Sequence, residues 1–212
     1  MRNILCIETS IGKCSVALSH DGLEDYVEAS EKFVQSEQLF PLIEKILQKH
    51  GLTYKDLDLI ACTLGPGSFT GLRIGIAAVK GIKKALPNIR LIGVSTLEAM
   101  VLGLQLPVVE QKILAALNAY GGELYAQKFD SNGRSLGPIH LISKDQMEET
   151  HTNTLLLIEQ DSIDRGQGIA INLTARTLLK GTKEILLEKR AAEYESILPL
   201  YIKEPNITAK KR

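Results

Sequence analysis

The stretch LGPGSFTGLRIG, from Leu64 to Gly75, sets four glycines, a proline and two hydroxyl residues between an apolar run and a helical pattern. Glycine lets a backbone turn where other residues cannot and lets another chain segment come within a Cβ's distance. Such a segment is either a cradle for a ligand or a seam for more protein. The P-loop pattern G-x-x-x-x-G-K-[ST] fails, because Leu72 and Arg73 stand where the phosphate-reaching lysine and the magnesium-holding hydroxyl belong. The dinucleotide fingerprint G-x-G-x-x-G fails too, since Gly65, Gly67 and Gly71 are spaced one residue too far apart. The nucleophile elbow G-x-S-x-G fails because Ser68 is flanked by Pro66, Gly67, Phe69 and Thr70. Free amides at a helix N-terminus can still hold an anion through backbone and dipole alone, so weak nucleotide contact stays open.

The residues beyond the turn favour a seam. At about 100 degrees per residue, Arg73, Lys80, Lys83 and Lys84 share one narrow sector of a helix over Gly71 to Leu86, leaving an apolar arc of more than half its circumference. One sheet cannot cover that arc. Gly71, Gly75, Ala78 and Ile82 line up along its middle, and Gly75 with Gly81 costs about 2 kcal/mol relative to alanine, which tight packing must offset. The packing partner is either another element of this chain or another subunit. The apolar stripe of Leu39, Ile43 and Ile46 is its expected neighbour.

Around this segment the first hundred residues read as three antiparallel strands followed by alternating helices and strands. Asn3–Glu8 and Cys14–Ser19 are apolar runs, and the Asp-Gly within His20–Leu23 makes a hairpin turn. Ser36–His50 has helical spacing with Pro41 inside it, predicting a kink there. Leu57–Leu64 and Ile89–Ser95 read as strands, and Ser95 with Glu98 has the spacing of a capping box opening another helix. After Gly103 the texture changes, which sets a domain boundary between 1–103 and 104–212. The second part predicts a hairpin over Lys112–Asp130, a short helix near Ser143–Glu149, a strand over Thr154–Glu159, a helix near Ile171–Leu179 and a final strand over Pro199–Lys203.

Charge and cysteine usage exclude several classes. Lysine plus arginine equals aspartate plus glutamate at 25 each, so no overall field draws the chain to nucleic acid or an anionic membrane. The basic tail Lys210, Lys211 and Arg212 is expected to add at most weak, salt-sensitive RNA contact. Cys6, Cys14 and Cys62 form no C-x-x-C pair and sit in apolar runs, as buried thiols of a reducing cytoplasm do. Glu8 interrupts the first apolar run, so neither a signal peptide nor a membrane span is expected. His20, His50, His140 and His151 are dispersed, with no pair at one-turn spacing for a metal.

Taken together, ILCIETSIGKCSVAL, LDLIACTLGPGSFTGLRIGIAAVKGI and LIGVSTLEAM resemble the bacterial TsaB (YeaZ) family of threonylcarbamoyl-adenosine modification of tRNA. The likeness is close over about the first hundred residues. Farther on it rests on GELY, Gly122–Tyr125, and PLYIKEPNIT, Pro199–Thr208. The resemblance implies an α/β, actin-like (ribonuclease H-like) fold of two lobes, with mixed sheets flanked by helices. It also implies a cytoplasmic scaffold without turnover of its own. Its expected partners are the catalytic sibling TsaD, the ATPase TsaE and, through the complex, tRNA. ATP and divalent metal would then belong to the partner subunits, with no cofactor in this chain. The implied partner interface is Leu39, Ile43, Ile46, Gly71, Arg73, Gly75, Ala78, Val79 and Ile82, with vestigial nucleotide contact at Glu8, Thr9 and Ser10. Self-pairing in the absence of the sibling stays open. Glu8 stands where the family has aspartate, Gln35 where it has histidine, and Asn118-Ala119-Tyr120 where it has Asp-Ala-Arg. Two other classes remain: a small actin-like ATPase or kinase acting alone, and a peptidase, for which no Ser-His-Asp or metal constellation is visible.

Overall fold

The structure, a computed structural model, describes residues 3–32, 34–104, 112–119, 121–150, 154–159 and 168–203. Tyr120, His151 and residues 204–212, on which expectations fall, lie outside them.

The chain opens with β1 (Ile4–Glu8), β2 (Lys13–His20) and β3 (Leu23–Lys32), antiparallel in succession. Helix α1 (Gln35–Lys49) runs through Pro41 and leads to β4 (Leu59–Thr63), which lies parallel to β1. Helix α2 (Phe69–Ala85) then returns the chain to β5 (Arg90–Val94), parallel to β4. Helix α3 (Thr96–Gly103) closes the first part. Every residue of β1 and β4 is buried, because helices cover both faces of the sheet.

The second part repeats this plan. β6 (Lys112–Asn118) and β7 (Glu123–Phe129) form the expected hairpin, and β8 (His140–Ser143) pairs antiparallel with β7. Helix α4 (Lys144–Thr150) is followed by β9 (Thr154–Glu159), parallel to β6, and β10 (Ile169–Ile171), parallel to β9. Helix α5 (Ala175–Leu187) comes last. The strand orders are β3-β2-β1-β4-β5 and β8-β7-β6-β9-β10, the same topology twice.

Side-chain alternation along the strands stacks these elements in layers. Leu5 and Ile7 join α1 and α2 on one face of the first sheet, while Ile4 and Cys6 face α3 and α5 on the other. Residues Ile113, Ala115 and Leu157 of the second sheet belong to that same central core. Leu114, Ala116 and Leu156 look outward onto Met147 of α4. At the centre, α3 and α5 cross closely. A Cβ on Gly103 would strike Thr177, and one on Gly181 would lie 3.1 Å from Leu102 Cβ. Thus α5, late in sequence, packs against β1 and β2 of the first sheet.

Three expectations need correction. Helix α5 starts at Ala175 rather than near Ile171, because Thr174 caps it by accepting from Thr177 N–H, while Ile169–Ile171 is a short strand. Pro199–Lys203 is not a strand; its one ladder-like bond runs from Leu200 N–H to the Leu64 carbonyl at 2.8 Å. Ser95 does cap α3 by accepting from Glu98 N–H at 3.1 Å. The Glu98 carboxylate instead accepts from the Tyr194 hydroxyl at 2.5 Å, tying the late chain to α3.

The two glycine classes in α2 predict opposite outcomes. A Cβ on Gly71 would collide with the Thr9 carbonyl, whereas one on Gly81 meets nothing within 4 Å. Gly71→Ala should cost about 3 kcal/mol by overpacking, and Gly81→Ala should gain nearly 1 kcal/mol through helix propensity. Urea denaturation of the two variants beside the wild type checks both signs.

Candidate functional site

The glycine-rich turn is filled by the chain's own first turn. Strand β4 ends at Thr63, and Gly65 and Gly67 then take φ values of 107° and 155°, open to glycine. Ser68 caps α2, its hydroxyl oxygen accepting from Gly71 N–H at 3.2 Å. The Ser68 N–H, which an anion would need, donates to the Ser10 carbonyl at 2.6 Å. A Cβ on Gly67 would strike Ser10, and Cβ atoms on Gly71 and Gly75 would strike Thr9. The three glycines therefore receive the β1–β2 turn, Gly67 and Gly71 against the Ser10 and Thr9 carbonyls and Gly75 against the Thr9 side chain. The expectation that Gly71 and Gly75 leave room for a partner helix is corrected: Thr9 occupies that room.

Glu8, Thr9 and Ser10 are all buried. Glu8 Oε1 accepts from Ser10 N–H and Ser10 Oγ–H, each at 2.5 Å, and from Ile11 N–H at 3.1 Å. The acid at the strand end caps its own turn, and in this arrangement the three residues present no surface to a nucleotide. Burial raises the Glu8 carboxyl above the usual range, against the lowering effect of the Ser10 hydroxyl.

Of the nine residues expected at an interface, most face inward. Leu39, Ile43, Ile46 and Val79 are buried in the core between the first sheet and its outer helices. Their apolar character is spent within the chain. Ala78 and Ile82 reach the floor of an open groove between α1 and α2, whose walls are Phe40 and Glu44 on one side and Ile74, Ala77, Gly81 and Ala85 on the other. Thr53, Tyr54 and Lys55 close one end, and the groove holds about 980 Å³. Phe40 is 45% exposed there, a large apolar side chain left in water. The signal for this second face was the width of the apolar arc on α2, too wide for the sheet alone. Phe40, adjacent to the buried stripe, was missed because the stripe by itself satisfied helical spacing.

Arg73 stands apart from the groove. Its guanidinium lies 3.8 Å from the centre of the Phe69 ring, Phe69 meets Tyr201 at 5.0 Å between centroids, and Arg73 Nε donates to the Tyr201 hydroxyl at 3.3 Å. With the Leu200–Leu64 bond, this stack straps residues 200–201 across the glycine-rich turn.

The histidines are less dispersed than their spacing implied. His20 and His50 meet edge to face at 6.3 Å, His20 Nδ1 lying 2.8 Å from Asn3 Oδ1 and His50 Nε2 lying 2.8 Å from Asp25 Oδ2. Among the described residues no group of three or more histidine, cysteine, aspartate or glutamate side chains could hold a metal ion. Cys6, Cys14 and Cys62 are buried free thiols, which burial pushes up to about 12. No helix among the described residues is long and apolar enough to cross a membrane.

The family pattern described as TsaD, tRNA N6-adenosine threonylcarbamoyltransferase, matches residues 28–194. The chain is 36% identical over 133 residues to the tRNA threonylcarbamoyladenosine biosynthesis protein TsaB of Escherichia coli, covering 61% of this chain and 57% of that protein. It is 33% identical over 133 residues to the TsaB of Buchnera aphidicola subsp. Schizaphis graminum, covering 63% of each. The chain thus spans less than two thirds of the length of the curated relatives it matches. The fold is similar to that of YeaZ from Pseudomonas aeruginosa, with a TM-score of 0.77 at 24% identity, over 95% of this chain and 100% of that one.

The inward and outward faces of α1 should respond differently to truncation. Leu39→Ala should cost about 2–5 kcal/mol of stability, whereas Phe40→Ala should stay within about 0.5 kcal/mol of wild type. Denaturant midpoints measured at equal slope distinguish the two faces.

Proposed function

The chain belongs to the family of the tRNA N6-adenosine threonylcarbamoyltransferase TsaD, in its TsaB (YeaZ) group, and from that premise we propose that it is a noncatalytic subunit for threonylcarbamoyl-adenosine modification of tRNA. In this reading it pairs with the catalytic sibling TsaD, works with the ATPase TsaE in the cytoplasm, and meets tRNA through the assembled complex. The observation that carries the reading is the open apolar groove on the outer layer of α1 and α2. A face of that kind, with Phe40 exposed and the small residues Ala77, Gly81 and Ala85 opposite, suits close approach of helices from another subunit. The absence of own turnover is supported by the packing of Glu8, Thr9 and Ser10, whose donors and acceptors serve the β1–β2 turn and α2. ATP and divalent metal then act in the partner subunits.

Gly81→Glu places a charge in the groove at a position with open space around it. Burying that charge unpaired on association costs about 3 kcal/mol or more, so pairing with TsaD should weaken on the order of a hundredfold while the isolated chain melts near wild type. Calorimetric titration against TsaD and melting of the free chain test this together. Undiminished pairing would refute the groove as the interface. The purified chain alone should hydrolyse no ATP in single-turnover assays with magnesium. Hydrolysis that Glu8→Ala abolishes would favour the actin-like ATPase instead.

A further inference from the structure

Helix α2 carries four cations and no acid. Lys83 is spent inside the chain, its Nζ donating to the carbonyls of Pro87 and Ile89 at 2.6 Å each. Arg73, Lys80 and Lys84 are exposed, and among the described residues no carboxylate pairs with any of them. At about 100 degrees and about 1.5 Å per residue, Phe69, Arg73, Lys80 and Lys84 fall within about 60 degrees of one another, in a row about 22 Å long. Ile74, Ala78, Gly81 and Ala85 of the groove lie roughly 100 degrees farther round, so a helix seated in the groove leaves Arg73 and Lys80 uncovered.

The head of this row is aromatic. Phe69 is 36% and Tyr201 47% exposed, with the Arg73 guanidinium over the Phe69 ring and its Nε donating to the Tyr201 hydroxyl. Ile197 in the core and the bond from Leu200 N–H to the Leu64 carbonyl hold the segment that carries Tyr201. Both rings are therefore in place before any ligand arrives. Between Arg73 and Lys84 the same sector presents only Ala77, with no large apolar side chain to anchor a protein partner. Lysine is depleted from the cores of protein interfaces, whereas cations in line beside an exposed aromatic ring match the two parts of a nucleotide chain, phosphate and base. The net charge of zero supplies no wider field, so the contact depends on this local row.

We propose that the row of Arg73, Lys80 and Lys84 on α2 is an RNA-binding surface, with strand phosphates along the cations and an unpaired base on the exposed ring of Tyr201. The inference rests on the tRNA reading above and extends it. This chain itself touches the tRNA, on the flank of α2 that the groove leaves free. Phosphate contacts position the strand without reading its sequence, and a ring accepts the face of any base.

The test uses the assembled complex of this chain with TsaD and a fluorescently labelled, unmodified tRNA transcript titrated over a range of potassium chloride. Lys80→Gln combined with Lys84→Gln should weaken binding about tenfold at low salt and flatten the dependence of log Kd on log salt by about 0.7 per lysine removed. Tyr201→Ala should weaken binding about tenfold with the slope unchanged, and Tyr201→Phe, which keeps the ring, should bind as wild type does. Pairing with TsaD, titrated without RNA, should be the same for the two-lysine variant and wild type. Reduced pairing there makes the row a protein contact and overturns the proposal, as does a Tyr201→Ala complex that binds tRNA as tightly as wild type. A wild-type complex that binds no tRNA refutes the tRNA reading and the row together. Wild-type binding that the two lysine changes leave intact in affinity and slope refutes the row alone.

Discussion

The contact on which the rest of the structure depends is the seating of the β1–β2 turn in the glycine face of α2. Because the Ser10 and Thr9 carbonyls meet Gly67 and Gly71 and the Thr9 side chain meets Gly75, the helix is held to a narrow range of height above the sheet and of rotation. That rotation directs Leu72, Ile76 and Val79 into the core and leaves Ile74, Ala77, Gly81 and Ala85 toward the groove. The outer groove therefore runs along the flank of the glycine row, with Ala78 and Ile82 continuing that row into its floor. Glycines that resemble a ligand loop in sequence act as the socket for a piece of the same chain.

The second constraint is the repeated strand order. Each sheet ends in a helix on the same side, α3 after β5 and α5 after β10, and the two helices form the central seam with a glycine from each at the crossing. The seam is reinforced at its edge by Tyr194, which donates to Glu98 of α3 and accepts from Arg190 at 2.6 Å. Lys203 pairs with Glu123 of β7 at 2.7 Å, so the late chain touches both halves.

The first half was legible because its signals are local and strong. Apolar runs of strand length, the Asp-Gly turn and the spacing of Leu39, Ile43 and Ile46 each named an element within a residue or two. The second half was harder for physical reasons. β10 is three residues long and β8 four, too short for alternation to register, and Leu200 joins its neighbour by a single bond. For the site, spacing showed that α2 is apolar on more than one side but could not say which side met which neighbour. Thr9 is polar, so nothing in a hydrophobic pattern marks it as the partner of Gly71 and Gly75. The meeting of His20 with His50 is also invisible to spacing, because it arises where the β2–β3 turn folds against the end of α1.

The socket also bears on how such a chain can drift under mutation. Any codon change that alters a glycine adds at least a Cβ, and at Gly67, Gly71 and Gly75 every such addition meets atoms of the first turn. Those positions have no tolerable neighbour one step away. Farther round the same helix, Gly81 and Ala77 line the open groove, where substitutions alter the surface and leave the socket untouched. One helix therefore combines a frozen register with a freely varying face, and the outer surface of the chain can change across generations without reopening the question of how it folds.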